Sequence, residues 1–116
     1  MADASYILGT NEYVVVELER SALSATFTAS NWDYELCLVA IGDAFDESTE
    51  TWVDAVYELA TDAAGQTHHT VKALLAGTTP LTAVAGTFTA FVRMTTTAGE
   101  TETPTLLRAA GKVTIV

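Results

Sequence analysis

Basic residues, cysteine and proline are all scarce in this chain. Five Lys and Arg residues stand against 15 Asp and Glu residues, Cys37 is the only cysteine, and 116 residues include two prolines. The single cysteine excludes an internal disulfide, and the shortage of cations argues against nucleic acid or an anionic membrane as partner. No apolar run reaches 18 residues, the length expected of a membrane-spanning helix. We therefore expect one domain over residues 1–116, held by a hydrophobic core that includes the free thiol.

The acidic residues are concentrated in the N-terminal half. Residues 1–62 hold 13 acids and one base, a net charge of −12, whereas residues 63–116 hold two acids and four bases, a net charge of +2. Such asymmetry permits a head-to-tail contact between unlike surfaces. Two kinds of partner therefore stay under consideration, namely a second copy of this chain and a different protein.

Apolar and polar residues alternate with a period of two along much of the chain, which is typical of half-buried strands. The pattern predicts strands at 13–19, 34–41, 51–59, 68–76, 86–97 and 112–116, with a weaker candidate at 22–29. The predicted core consists chiefly of Val14, Leu18, Leu36, Leu38, Phe88, Val92 and Met94, with Trp32 or Trp52 added. Seven or so antiparallel strands predict an all-β chain folded as a single immunoglobulin-like β-sandwich.

Segment 50–64 admits a second interpretation. A helix would place four apolar residues on one stripe at i, i+3, i+4 and i+7, namely Trp52, Ala55, Val56 and Leu59. A strand would instead place alternate residues on one face, namely Val53, Ala55, Tyr57 and Leu59. We favour the strand.

Two groups of residues invite a chemical interpretation. His68 and His69 are adjacent, so on a strand their imidazoles face opposite ways and cannot both bind one metal ion. The acidic loop 42–50 lacks the spacing and the glycine of an EF-hand, which favours a solvated loop over a weak cation site. No G-x-S-x-G, G-x-G-x-x-G or P-loop motif occurs. We predict a non-enzymatic protein with no catalytic residues, no metal and no cofactor.

From residue 71 onward the chain carries a pattern with three parts. A strand ends in a turn, a glycine precedes a second alternating strand, and an acidic turn with proline leads to a closing strand. The matching residues are Leu75, Gly77 and Pro80, then Leu81, Gly86, Phe88, Ala90, Phe91, Val92 and Arg93, then Glu102, Thr103, Pro104, Gly111, Val113 and Ile115. This pattern resembles the end of small structural proteins encoded among the virion genes of tailed bacteriophages, especially those of actinobacteria. It departs from them at 20–33 and 42–50, so no contact made there carries over.

The resemblance implies an immunoglobulin-like virion component, assembled in the host cytoplasm and without catalytic residues. Capsid decoration suits an acidic domain best, because the outer face of the major capsid shell lies away from the packaged DNA. Two alternatives stay open. One is a head–tail connector, tail or baseplate component, and the other is a carbohydrate-binding or adhesion module using Trp32, Asp33 and Tyr34.

Small or apolar residues in or near predicted loops are the candidate contacts to a protein partner, because such residues are costly to leave in water. They are Phe45, Ala83, Val84 and Trp32. For Phe45 the alternative is that its ring folds back onto its own domain. The expected partners are the major capsid protein or other virion proteins, rather than nucleic acid or a membrane.

Overall fold

Strands dominate the part of the chain that the computed structural model describes, which is residues 4–18, 29–96 and 105–116. They are β1 (Ala4–Tyr6), β2 (Tyr13–Glu17), β3 (Trp32–Ala40), β4 (Val53–Thr61), β5 (Thr67–Leu74), β6 (Gly86–Thr96) and β7 (Thr105–Ile115). One 3-10 turn, Ala29–Asn31, leads into β3. The all-β prediction is confirmed for these residues. The closing strand begins earlier than predicted, and the weaker candidate at 22–29 lies outside the described residues except for residue 29.

The strands form one sheet in the order β1-β7-β6-β3-β4-β5-β2. The β1–β7 pair is parallel and every other pair in this sheet is antiparallel. The two end strands, β1 and β2, are consecutive in the chain, and the sheet curls far enough to bring them near each other. The backbone N–H of Val15 in β2 donates to the Tyr6 hydroxyl of β1 over 3.1 Å. The result is a nearly closed, barrel-like sheet.

Strand β4 changes partners half-way along its length. Its first residues pair with β3, ending at Ala55 opposite Tyr34. From Val56, opposite Lys72, it pairs with β5 instead. Side chains alternate between half-buried and exposed from Val53 to Glu58, so the strand interpretation of this segment is confirmed. This strand switch turns the corner between the two halves of the barrel.

The interior is filled by alternate apolar residues from β2, β3, β5, β6 and β7. Its buried members include Val14, Val16, Leu18, Tyr34, Leu36, Val71, Ala73, Leu75, Leu81, Phe88, Ala90, Val92, Met94, Val113 and Ile115. Trp32 and Leu38 are partly buried and pack against this core. The predicted inward faces of β2 and β6 are therefore correct. Leu59 is exposed although it shares the inward phase of β4 with Val53, Ala55 and Tyr57.

Candidate functional site

The outer face of β3 and β6 is covered by the loop that joins β3 to β4. The Phe45 ring of this loop stacks on Phe91 of β6, with ring centroids 4.2 Å apart. Trp52, at the end of the loop, meets Phe45 edge-on at 6.1 Å. Phe45 therefore folds back onto its own domain. We call the surface under this loop, with Phe45, Trp52 and Phe91, the covered face.

Arg93 of β6 fixes the covered face electrostatically. Its guanidinium lies 4.3 Å from the Trp52 ring centroid and 2.8 Å from a Glu35 carboxylate oxygen. Glu47 of the covering loop lies 3.9 Å from the same guanidinium. One cation thus joins an aromatic ring and two carboxylates, which explains why an acidic loop lies against an acidic strand.

Cys37 is buried beneath the covered face. Burial, helped by the charge of Glu50, raises the pKa of its thiol to about 12. The thiol is therefore neutral and inert near neutral pH, because the thiolate is the reactive form. The prediction that Cys37 is a packed hydrophobic residue is confirmed.

The outer face of β2, β5 and β4 has no comparable cover among the described residues. Tyr13, Val15 and Val56 point outward there with 48%, 42% and 59% of their surface exposed. The register places Val15 beside Lys72 and Lys72 beside Val56, so the three strands present one continuous row. We call the surface formed by Tyr13, Val15, Val56 and Lys72 the open face.

Lys72 is held in place at the centre of the open face. Its ammonium lies 2.8 Å from a Glu58 carboxylate oxygen and 4.9 Å from the Tyr13 ring centroid. The carboxylate of Glu58 raises the pKa of Lys72 above its ordinary value. The ammonium of Lys72 is thus held between a carboxylate of β4 and a ring of β2.

A groove opens at one end of the open face, where β4 separates from β5. It has a volume of about 390 Å³ and is lined by Tyr13, Trp52, Val53, Asp54, Leu74 and Thr78, among others. Asp54 is exposed at its rim and makes no ion pair with any described residue. This recess therefore combines apolar side chains with one carboxylate that no described residue pairs.

A histidine bridges two carboxylates at the other end of the open face. The His68 Nδ1 atom lies 3.0 Å from Glu17 of β2, and its Nε2 atom lies 2.8 Å from Asp62 in the β4–β5 turn. The carboxylates of Asp62 and then Glu17 raise the pKa of His68, and the His68 imidazole lowers that of Asp62. His69 turns the other way, with Nδ1 bonded to the Tyr57 hydroxyl. The predicted opposite orientation of the two histidines is correct.

The other candidate contacts are dispersed. Ala83 and Val84 are exposed in the β5–β6 loop, Val84 by 62%, whereas Trp32 packs against the core. Tyr34, the second aromatic residue of the carbohydrate hypothesis, is buried, and its hydroxyl donates to the Ala29 carbonyl. Its ring is not accessible for stacking on a sugar. The structure does not bring the four candidate contacts together.

The described residues contain no group of three or more His, Cys, Asp or Glu side chains arranged to hold a metal ion. None of their helices has the length and apolar character needed to span a membrane. In the comparisons, no protein family, curated protein or solved structure matches this chain.

The open face was not among the predicted contacts, although the alternation of the sequence carries a signal for it. Tyr13 and Val15 are apolar residues in the outward phase of β2, and Val56 lies in the outward phase of β4. Apolar residues in both phases usually indicate a strand covered on both sides. Only the topology shows that the corresponding residues of β3 are covered and those of β2 and β4 are not.

Proposed function

We propose that this chain is a structural component of a bacteriophage virion, a capsid decoration protein that binds the outer face of the major capsid shell. The proposal combines the sequence resemblance of residues 71–116 with one observation of the structure, the uncovered apolar open face. Exposed apolar residues that lie together, with charged residues around them, are typical of surfaces that bind other proteins. In this proposal the chain acts by binding and is not an enzyme.

The finer fold proposal is that the barrel-like sheet is a curled variant of the immunoglobulin-like sandwich. The strand switch in β4 supports it, because strands that pass from one sheet to another form the corners of such folds. On this interpretation β1, β7, β6 and β3 form one layer, and β5 and β2 form the other.

Particle binding and copy number test the proposed role. The purified chain should co-sediment with DNA-free particles of the phage whose virion genes encode it, and it should not bind duplex DNA at physiological salt. A decoration protein is expected in roughly hundreds of copies per particle, whereas a connector ring holds about a dozen. Quantitative mass spectrometry of particles separates these roles. Absence from particles, or tight DNA binding, would contradict the virion proposal.

A further inference from the structure

The groove at the end of the open face follows from the change of partner in β4. Continuing the β4–β5 register beyond Val56 and Lys72 would place Asp54 opposite Leu74, but Asp54 pairs with Glu35 of β3 instead. This stretch of β5 is consequently paired with β2 alone among the described strands. The groove occupies the place where β4 would have continued beside β5.

The hydrogen-bond pattern shows which backbone groups line this gap. Leu75, just after β5, donates its N–H to the Glu12 carbonyl just before β2, and the His69 carbonyl accepts from Leu18 just after β2. The odd-numbered residues of β5 therefore bond toward β2. Backbone groups of successive residues in a strand point to opposite sides. By this alternation the backbone N–H and C=O of Leu74 face away from β2, on the side of the groove. An extended segment lying there could bond to them as an added strand does.

The charges around the groove favour a cationic occupant. Asp54 lies directly opposite Glu35 across the β3–β4 pair, an unfavourable juxtaposition of like charges. Arg93 neutralises Glu35, and Glu58 is already bound to Lys72. Asp54 is left with its charge unpaired by the described residues. A lysine or arginine arriving at the rim would pair with it.

The same charges argue against a second copy of this chain as the occupant. The net charge is −10, so two copies repel each other. Lys72 and Arg93 are each bound to carboxylates of their own chain. Pairing either of them across a dimer would first break an ion pair within the chain. A basic segment of another protein meets neither obstacle.

We propose that the groove binds an extended segment of a partner protein that carries alternating apolar side chains and at least one lysine or arginine, which pairs with Asp54. Apolar side chains of the segment lie against Val53 and Leu74, and Tyr13 and Val56 border it on the open face. This inference rests on the proposed function and adds to it the site and the chemistry of the partner segment.

A titration with defined peptides tests the groove directly. The probe is a capped peptide of alternating valine and lysine, about seven residues long, which spans roughly 23 Å as a strand. Amide shifts of the ¹⁵N-labelled chain should change at Val53–Val56 and Lys72–Leu74. A peptide with glutamate in place of lysine should bind about tenfold more weakly or not at all.

Two charge reversals separate the site from the overall charge. Asp54→Lys should weaken binding of the valine–lysine peptide about tenfold, whereas Asp43→Lys, an equal change in net charge at an exposed residue of the β3–β4 loop, should change it less than about twofold. Circular dichroism and melting curves check that both variants fold. Equal losses in both variants, or shift changes outside the groove, would overturn the proposal.

The same pair of variants on particles distinguishes this inference from the proposed function. If the natural chain binds particles and Asp54→Lys binds equally well, the decoration proposal stands and the groove proposal fails. If the natural chain does not bind particles but the peptide titration gives the expected pattern, the groove proposal stands and the virion proposal fails.

Discussion

The covered face and the open face share one arrangement of side chains, but only the covered face is shielded by a loop of the chain. In each, a cation is held between a carboxylate and an aromatic ring: Arg93 between Glu35 and Trp52 in one, Lys72 between Glu58 and Tyr13 in the other. The covered face then receives Phe45 from its own loop. The open face leaves its apolar row exposed within the described chain. The chain thus covers one outer surface with its own loop, whereas no described residue covers the other in the same way.

The largest effect is expected in the core beneath both faces. Phe88 is buried on the inward side of β6, among residues from several strands. Phe88→Ala should lower the free energy of unfolding by about 3–5 kcal/mol, through lost burial and the cavity left behind. Denaturant unfolding measures the change. A loss under about 1 kcal/mol would mean that the inward and outward faces of β6 are misassigned.

A smaller effect is expected from uncovering the covered face. Phe45→Ala removes a half-buried ring stacked on Phe91, so it should lower the free energy of unfolding by about 1–2 kcal/mol. It should also speed the reaction of Cys37 with a thiol reagent, because the cover over that side of the sheet is removed. Val84→Ala, in an exposed loop, is the matched control and should change neither quantity appreciably. Unchanged labelling in Phe45→Ala would show that the loop does not protect the thiol.

Changes on the open face should affect binding far more than stability. Val56→Ser replaces an exposed side chain, so the free energy of unfolding should change by less than about 1 kcal/mol. Its binding to particles should nevertheless weaken severalfold, because the variant removes apolar contact area and adds a hydroxyl that the partner must desolvate. Sedimentation of both proteins with particles measures this. A variant that loses stability instead would show that Val56 supports the fold.

The smallest effect concerns the histidine bridge on the open face. Because folding raises the pKa of His68, the protonated imidazole stabilises the folded state fully when the pH is below 6.5, its ordinary pKa. This contribution is lost as the pH rises through the raised pKa. Because folding lowers the pKa of Asp62, its carboxylate stabilises the folded state when the pH is above 3.8, its ordinary pKa. This contribution is lost as the pH falls through the lowered pKa. The bridge should therefore contribute most between these two ordinary values.

His68→Gln tests the bridge, because glutamine cannot carry the charge. The melting temperatures of the variant and the natural chain should differ most between about pH 4 and pH 6.5. The difference should shrink as the pH rises through the raised pKa of His68. His69→Gln serves as the control for loss of an imidazole. A difference that is constant across this range would mean that His68 acts by packing rather than by charge.

The sequence was sufficient for β2 to β6 and for the inward faces of β2 and β6, because alternation depends only on neighbours in the chain. It also predicted the opposite orientation of His68 and His69. It did not predict β1 or the first half of β7. It could not predict that β4 changes partners at Val56, since register depends on strands distant in sequence. For the same reason, the fold-back of Phe45 remained one of two alternatives. The open face and its groove arise from that long-range pairing, so candidate contacts chosen from loops did not include Tyr13 or Val15.

Side-chain footprinting on particles tests the central claim most directly. Hydroxyl-radical labelling of the free chain and of the particle-bound chain compares both outer surfaces in one experiment. Binding should protect Tyr13, Val15 and Val56, while labelling of Phe45, which lies on the covered face and does not line the groove, stays unchanged. Protection of Phe45 with unchanged labelling at the other three residues would contradict this claim, because the partner would then lie on the surface that the chain already covers.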